Sequence, residues 1–183
     1  MIYRCLNKQI FTSGDFSIVP IRMEDRYDII QWRNEQIYHL RQNQPLTIED
    51  QDAYFENVVS ILFDQEQPSQ ILFSIMEKDV CIGYGGLVHI NWIDKNAEIS
   101  FIMNTALEKE RFQEIWLAYL SLIEQVAFKE LVLHKIYIYA FDLRPHLYEA
   151  AEKAGYFLDS RLKEHCLYNG EFKDVVIYSQ LNS

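Results

Sequence analysis

Ile82-Gly83-Tyr84-Gly85-Gly86-Leu87 and, beyond a turn at Trp92 to Asn96, Ala97-Glu98-Ile99-Ser100-Phe101 are the stretches on which the fold turns. Both are rich in apolar, β-branched and aromatic residues and are bounded by polar ones. They predict strands over Val80 to Ile90 and Ala97 to Met103. Ile71 to Met76 predicts a third strand, joined to the first by the tight turn Glu77-Lys78-Asp79. Three strands in a row with short connections form an antiparallel meander, because parallel neighbours need a crossover of about a dozen residues or more. Gly83, Gly85 and Gly86 lie inside a strand rather than between strand and helix. They are not a dinucleotide fingerprint and instead mark a bulge or close packing.

Working outward, residues 2–21 carry two short extended patterns around Ser13-Gly14-Asp15. Residues 23–33 switch to helical spacing, with Met23, Tyr27, Ile30 and Trp32 in register. Thr47, after Pro45, is an N-cap candidate with Asp50 three residues on, and opens a second helix through Phe63. Downstream, residues 108–128 form the longest helical pattern and Lys135 to Phe141 an apolar strand. Pro145 to Ala154 predicts a helix stopped at Gly155. Two final strands, Tyr156–Tyr168 and Glu171–Leu181, flank Asn169-Gly170, a strong hairpin signal. The order β, α, α, β, β, β, α, β, α, β, β predicts an α+β (α/β mixed sheet) domain spanning 1–183, with an N-terminal extension over 1–15.

The chain has 183 residues and a formal charge of -10. With no basic stripe, that balance argues against nucleic acid and anionic membranes. Cys5, Cys81 and Cys166 are odd in number and widely spaced, as free thiols of a reducing compartment would be. No apolar leader or membrane-length stretch is evident, so a cytoplasmic location is expected. His134, His146 and His165 are too scattered for a metal site, and no metal is expected.

The element order and four strings resemble the GCN5-related N-acetyltransferase (GNAT) family. The strings are the two quoted above, Val126-Ala127-Phe128 through Leu133-His134-Lys135-Ile136-Tyr137, and Glu152-Lys153-Ala154-Gly155-Tyr156. The resemblance covers about residues 16–181. It implies an acyl-CoA N-acyltransferase fold, a mostly antiparallel twisted sheet flanked by helices, with acetyl-CoA as co-substrate. Trp32-Arg33-Asn34, the segment from Arg41 to Leu46 and the helix opened by Thr47 look like two branches of it. One acetylates ribosomal-protein N-termini. The other, slightly closer, acetylates nucleotide-linked amino sugars in polysaccharide synthesis.

The resemblance also implies where ligands sit. Acyl-CoA would lie in a V between two splayed strands, against the backbone of Phe101, Ile102 and Met103. Its pyrophosphate would rest on the amides that open the long helix. The matching stretch here is Arg111-Phe112-Gln113-Glu114-Ile115-Trp116, after a loop read as Asn104 to Glu110. Arg111 is kept, but none of the family's glycines survive, and glycine is what lets backbone approach phosphate closely. Glu114 would repel a diphosphate. The position of the family's usual tyrosine acid is Ala151, and that of its asparagine is Arg144, which is assigned to the cofactor. Tyr148, almost a turn from Ala151, is the candidate acid, with a plain structural tyrosine as the alternative.

Amine acetylation needs a base, a donor to polarise the thioester carbonyl, and an amine held within reach. Glu98 is the first base candidate and His89 the second. Each has a structural alternative, an ion-paired glutamate and a satisfied histidine. Trp32, Arg33, Arg41 and Gln42 are assigned to the acceptor, with Trp32 stacking and Arg beside it for phosphate; the alternative is a core Trp32 and solvated arginines. The function expected is CoA-dependent N-acetylation of a primary amine on a small molecule, such as a nucleotide-linked amino sugar. Two alternatives stay open. One is a non-catalytic, repurposed binding protein whose cleft is filled by Phe112 or Trp116, and the other is a protein N-terminal acetyltransferase. The partners expected are the small amine acceptor and, as an option, a second copy of the chain.

Overall fold

The computed structural model describes residues 1–182. One eight-stranded sheet runs through the molecule: β1 (Phe11–Ser13), β2 (Phe16–Pro20), β3 (Ile71–Glu77), β4 (Val80–Asn91), β5 (Asn96–Met103), β6 (Lys135–Phe141), β7 (Phe157–Tyr168) and β8 (Glu171–Leu181). Its spatial order is β1-β2-β3-β4-β5-β6-β8-β7. Every neighbouring pair is antiparallel except β5 and β6, which are parallel and joined by the long helix. The expected mixed sheet, meander and C-terminal hairpin are all present.

Helix α1 (Arg26–Glu35) follows a 3-10 turn at Met23–Asp25. A second 3-10 turn, Ile37–His39, leads toward α2 (Ile48–Tyr54), which continues through a π-helical turn, Phe55–Val59, into α3 (Ser60–Leu62). Thr47 starts α2 as the sequence suggests. Its hydroxyl accepts from the Asp50 amide at 3.1 Å, and the Asp50 carboxylate accepts from the Thr47 amide at 2.9 Å. That reciprocal cap satisfies two N–H groups the helix would otherwise leave free.

The long helix α4 (Thr105–Glu124), extended by a π-helical segment Gln125–Glu130, packs Ile115, Trp116, Tyr119 and Ile123 against the sheet, each close to fully buried. Burial of such side chains contributes about 1.5–3 kcal/mol apiece. Helix α5 (Pro145–Lys153) covers the sheet beside it. Tyr119 explains one strand glycine: a Cβ on Gly85 would stand 2.6 Å from the Tyr119 hydroxyl, which donates to the Ser100 carbonyl at 2.6 Å. Gly86, at φ +154, has the Ile71 carbonyl where a side chain would be.

The extension over 1–15 packs onto the rest of the domain, since Tyr3, Leu6 and Phe11 are buried and β1 pairs with β2. One expectation changes here. The loop read over Asn104 to Glu110 does not exist. α4 begins directly after β5, because the Asn104 side chain caps the Ala106 amide at 3.0 Å and Thr105-Ala106-Leu107-Glu108 continues as helix. No described helix is long and apolar enough to cross a membrane.

Candidate active site

β5 and β6 pair at only three positions, Asn96↔Lys135, Ala97↔Ile136 and Glu98↔Tyr137. Beyond Glu98, β5 stays with β4 as far as Met103, while β6 stays with β8 as far as Phe141. The two halves of the sheet therefore separate into a V with Glu98 at its apex. The cleft between them has a volume of about 510 Å³, and its inner walls are Ile99 to Ile102 and Ile138 to Phe141.

Hydrogen-bond alternation makes the β5 wall polar. The Asn104 amide donates to the Ile82 carbonyl at 2.7 Å. In an antiparallel ladder the bonded residues then recur at every second position, which turns the amides of Ile99, Phe101 and Met103 toward the V. Of the three residues the sequence assigned here, Phe101 and Met103 are among these donors, Ile102 is not because its backbone faces β4, and Ile99 was not foreseen.

Side-chain alternation puts Tyr84 and Glu98 on one face of the sheet, below α1 and the 37–47 segment, and Phe101 on the other, below α4. Glu98 is 6% exposed. Burial pushes its pKa up, opposed by Arg41 and His89. Arg41 pairs with one carboxylate oxygen, and His89 Nε2 lies 4.0 Å from the other. His89 has φ +50 at the bulge between Val88 and Asn91, and lines the cleft, as Arg41 does. The Arg41 guanidinium lies 4.6 Å from the Tyr139 ring centroid. Arg33 also lines the cleft and donates to the Tyr84 hydroxyl. Gln42 holds Arg33 from behind, its amide oxygen accepting at 3.1 and 2.9 Å. Glu98, His89, Arg33 and Arg41 are thus gathered in one cleft, with Gln42 supporting them.

Three assignments need correction. Trp32 is 5% exposed and packs in the core, so it has no ring face to stack on an acceptor. Tyr148 lies outside the cleft lining. Its hydroxyl donates to Asp142 at 2.6 Å and its ring stacks on Tyr178, while burial, first, and Asp142 push its pKa up. The third is the stretch Arg111 to Trp116. It starts six residues into α4, where each amide is already committed to the helix ladder and cannot receive an anion.

The side chains of that stretch are also engaged. Arg111 grips Glu77 at 2.9 and 2.7 Å and Glu114 at 2.9 and 3.1 Å. Gln113 accepts from Lys153 at 2.9 Å, and Ile115 is core. Phe112 packs edge-on to Phe101 and His146, and Trp116 tilts over Phe101 to form part of the cleft wall. The two aromatics occupy the layer between α4 and β5 and leave the V open.

Arg144, just before α5, is buried and also lines the cleft. It pairs with Glu108 and lies 3.1 Å from His39 Nε2. Burial, and after it Arg144, holds the His39 pKa down at about 3, so this ring is neutral. Among the described residues, no group of three His, Cys, Asp or Glu side chains is placed to hold a metal ion.

Sequence reasoning missed Tyr84, Tyr139 and Glu108. Alternation within β4 and β6 carries a signal for the two tyrosines. Glu108 has none, because its partner is 36 residues away.

A splayed parallel pair with a buried carboxylate at the apex and free strand amides on one wall is the architecture of an acyl-CoA N-acyltransferase. A family description, "Acetyltransferase (GNAT) domain", matches residues 18–177. The chain belongs to the GNAT acetyltransferase family. Among solved structures, it is similar to the spermidine N-acetyltransferase of Vibrio cholerae in complex with CoA and spermine. The identity is 18% and the TM-score 0.78, over 93% of this chain and 97% of that one. A dodecameric form of that enzyme in an intermediate state gives 20% and 0.76, over 93% and 96%. A manganese complex of the Vibrio cholerae spermidine/spermine N-acetyltransferase SpeG gives 22% and 0.74, over 93% and 94%. At these identities the likeness is one of fold.

Proposed function

We propose that the protein transfers an acetyl group from acetyl-CoA to the primary amine of a small acceptor that also carries an anionic group, with nucleotide-linked amino sugars as the fitting class. Acetyl-CoA supplies an electrophilic thioester. Glu98 takes the proton of the acceptor ammonium, and its raised pKa makes it a stronger base than an exposed carboxylate. The Phe101 amide polarises the carbonyl. The neutral amine attacks the carbonyl carbon, the C–N bond forms, the C–S bond breaks, and the second proton shed by the nitrogen goes to the departing thiolate. No acyl-enzyme is required, so no nucleophile is assigned.

The observation that carries this reading is Glu98 at the apex of the V. The acceptor class follows from charge. Arg33 and Arg41 line that side of the cleft against the single carboxylate of Glu98. A polyamine like the spermine bound to the Vibrio cholerae enzyme would meet two guanidinium groups there. A phosphate would meet two matched donors. The same balance disfavours a protein N-terminus, for which an acidic groove would be the better host. A second copy of the chain as partner remains part of this reading.

The test incubates the protein with acetyl-CoA and either a nucleotide-linked amino sugar or spermidine, and follows acetylation by mass spectrometry. Acetylation of the nucleotide sugar in preference to spermidine is expected. Efficient spermidine acetylation with the anionic amine untouched would overturn the acceptor class.

A further inference from the structure

Each transfer leaves a proton behind. The ammonium of a primary amine carries three, and the amide product keeps one. Of the two shed, one leaves with the thiol and the other stays on Glu98. Glu98 must return it to water before it can act as a base again. Only 8% of its side chain is exposed, so it has little direct access to water.

The titratable side chains around Glu98, among the described residues, are Arg41, His89, Tyr137 and Tyr139. A guanidinium keeps its charge in a protein, and that of Arg41 holds Oε1. Burial pushes both tyrosines above the ordinary phenol value, so they stay protonated. His89 is different. Its Nε2 lies 4.0 Å from Oε2, the oxygen Arg41 leaves free, and its side chain is 64% exposed. Imidazole is the side chain suited to loading and unloading protons near neutrality, and catalytic hydrogen bonds in free enzymes are often long.

The backbone independently points the same way. Val88 stands directly opposite Glu98 across β4 and β5, so the two side chains share a face. In a regular strand the next side chain would point to the other face, away from Glu98. Instead the pairing shifts between Val88 and Asn91, and His89 takes φ +50. Such a bulge re-aims a side chain, and here it brings the imidazole to Glu98 while leaving it exposed.

We propose that His89 is the proton exit of the site, taking the proton from Glu98 Oε2 after each transfer and releasing it to water. This rests on Glu98 acting as the base in the acetyltransferase reading above. The O–H bond on Glu98 breaks, an N–H bond forms on the imidazole, and the imidazolium gives one proton to water or buffer. His89 acts through Glu98 and not on the acceptor.

His89→Asn tests it, because asparagine also tolerates a positive φ but carries no titratable ring. The acceptor is whichever of the nucleotide-linked amino sugar and spermidine the wild type acetylates, in dilute buffer at pH 8, with product followed by rapid quench and mass spectrometry. In the first turnover Glu98 is already ionised and needs no exit. The variant should therefore form a burst of one product per chain at the wild-type rate and then slow, with kcat lowered about a hundredfold, the lower end of what a positioned proton-transfer group contributes. Added imidazole should restore kcat to His89→Asn and not to Glu98→Gln, with thermal melting to confirm that both are folded. Wild-type kcat in His89→Asn would overturn the proposal and leave the acetyltransferase reading standing. A first turnover slowed as much as the later ones, or a lost kcat that imidazole does not restore, would do the same. No acetylation of either amine by the wild type would overturn both.

Discussion

Glu98→Gln is the substitution that bears most directly on the chemistry. It keeps the shape and removes the basic oxygen at the apex of the V. The effect on folding should be small and of known sign. Glu98 is buried with a raised pKa, so its ionised form is disfavoured in the folded state. The stability linked to this carboxyl is full below its unfolded pKa and is lost as pH rises through the folded one. At pH 8 the glutamine variant is freed of that loss. Its partner Arg41 has a side chain 48% exposed, so loss of the ion pair costs at most about 1 kcal/mol. The variant should melt no more than a few degrees from the wild type at pH 8. The wild type, but not the variant, should lose stability through the Glu98 titration. A positioned general base contributes about 10²- to 10⁴-fold to rate, or about 3–5 kcal/mol of barrier at 1.36 kcal/mol per decade. The assay is steady-state acetylation with a thiol-trapping readout across pH 6–9. A fall in kcat of at least about a hundredfold with a normal melt is expected. A folded Glu98→Gln protein that retains a third or more of wild-type kcat would refute the assignment of Glu98 as base.

Other consequences can be checked separately. Arg41→Gln should raise KM for an anionic amine about ten- to hundredfold, the value of a charged hydrogen bond, while an uncharged amine of similar size changes far less; equal effects on both would remove Arg41 from anion recognition. Gly85→Ala should destabilise by about 1–3 kcal/mol in urea titration, because Tyr119 and the Ser100 carbonyl occupy the space for a Cβ; an unchanged midpoint would mean that the helix can shift freely off the sheet. His39, held near pKa 3, should show no proton titration by NMR between pH 8 and 5. Because the unfolded histidine binds a proton below about 6.5 and the folded one does not, stability should fall as pH drops below that value; a His39 titration near 6 would contradict its burial beside Arg144.

Much of the architecture is legible in local pattern. Apolar, β-branched and aromatic runs bounded by polar turns mark β3, β4 and β5, Thr47 with Asp50 marks the start of α2, and Asn169-Gly170 marks the last hairpin. These signals lie within a few residues of one another, where steric and hydrogen-bond preferences act directly. Glu98 is legible for a related reason: a carboxylate between Ala97 and Ile99 in a buried strand needs a partner or a task. What surrounds Glu98 is not legible, because Arg41 and His89 reach it from two different segments, and Arg41 in turn lies against Tyr139 of a third. The start of α4 was misread because Arg111 and the positions after it align with a family loop, whereas Asn104 supplies a cap that turns the preceding six residues into helix. Trp32 reads equally well as a stacking platform or as core, and only packing against the sheet makes it core. The sequence by itself determined the strands, the helices and their order, since these follow from interactions between near neighbours. The tertiary structure alone decided which charges share the V, since burial and pairing depend on segments that meet only after folding.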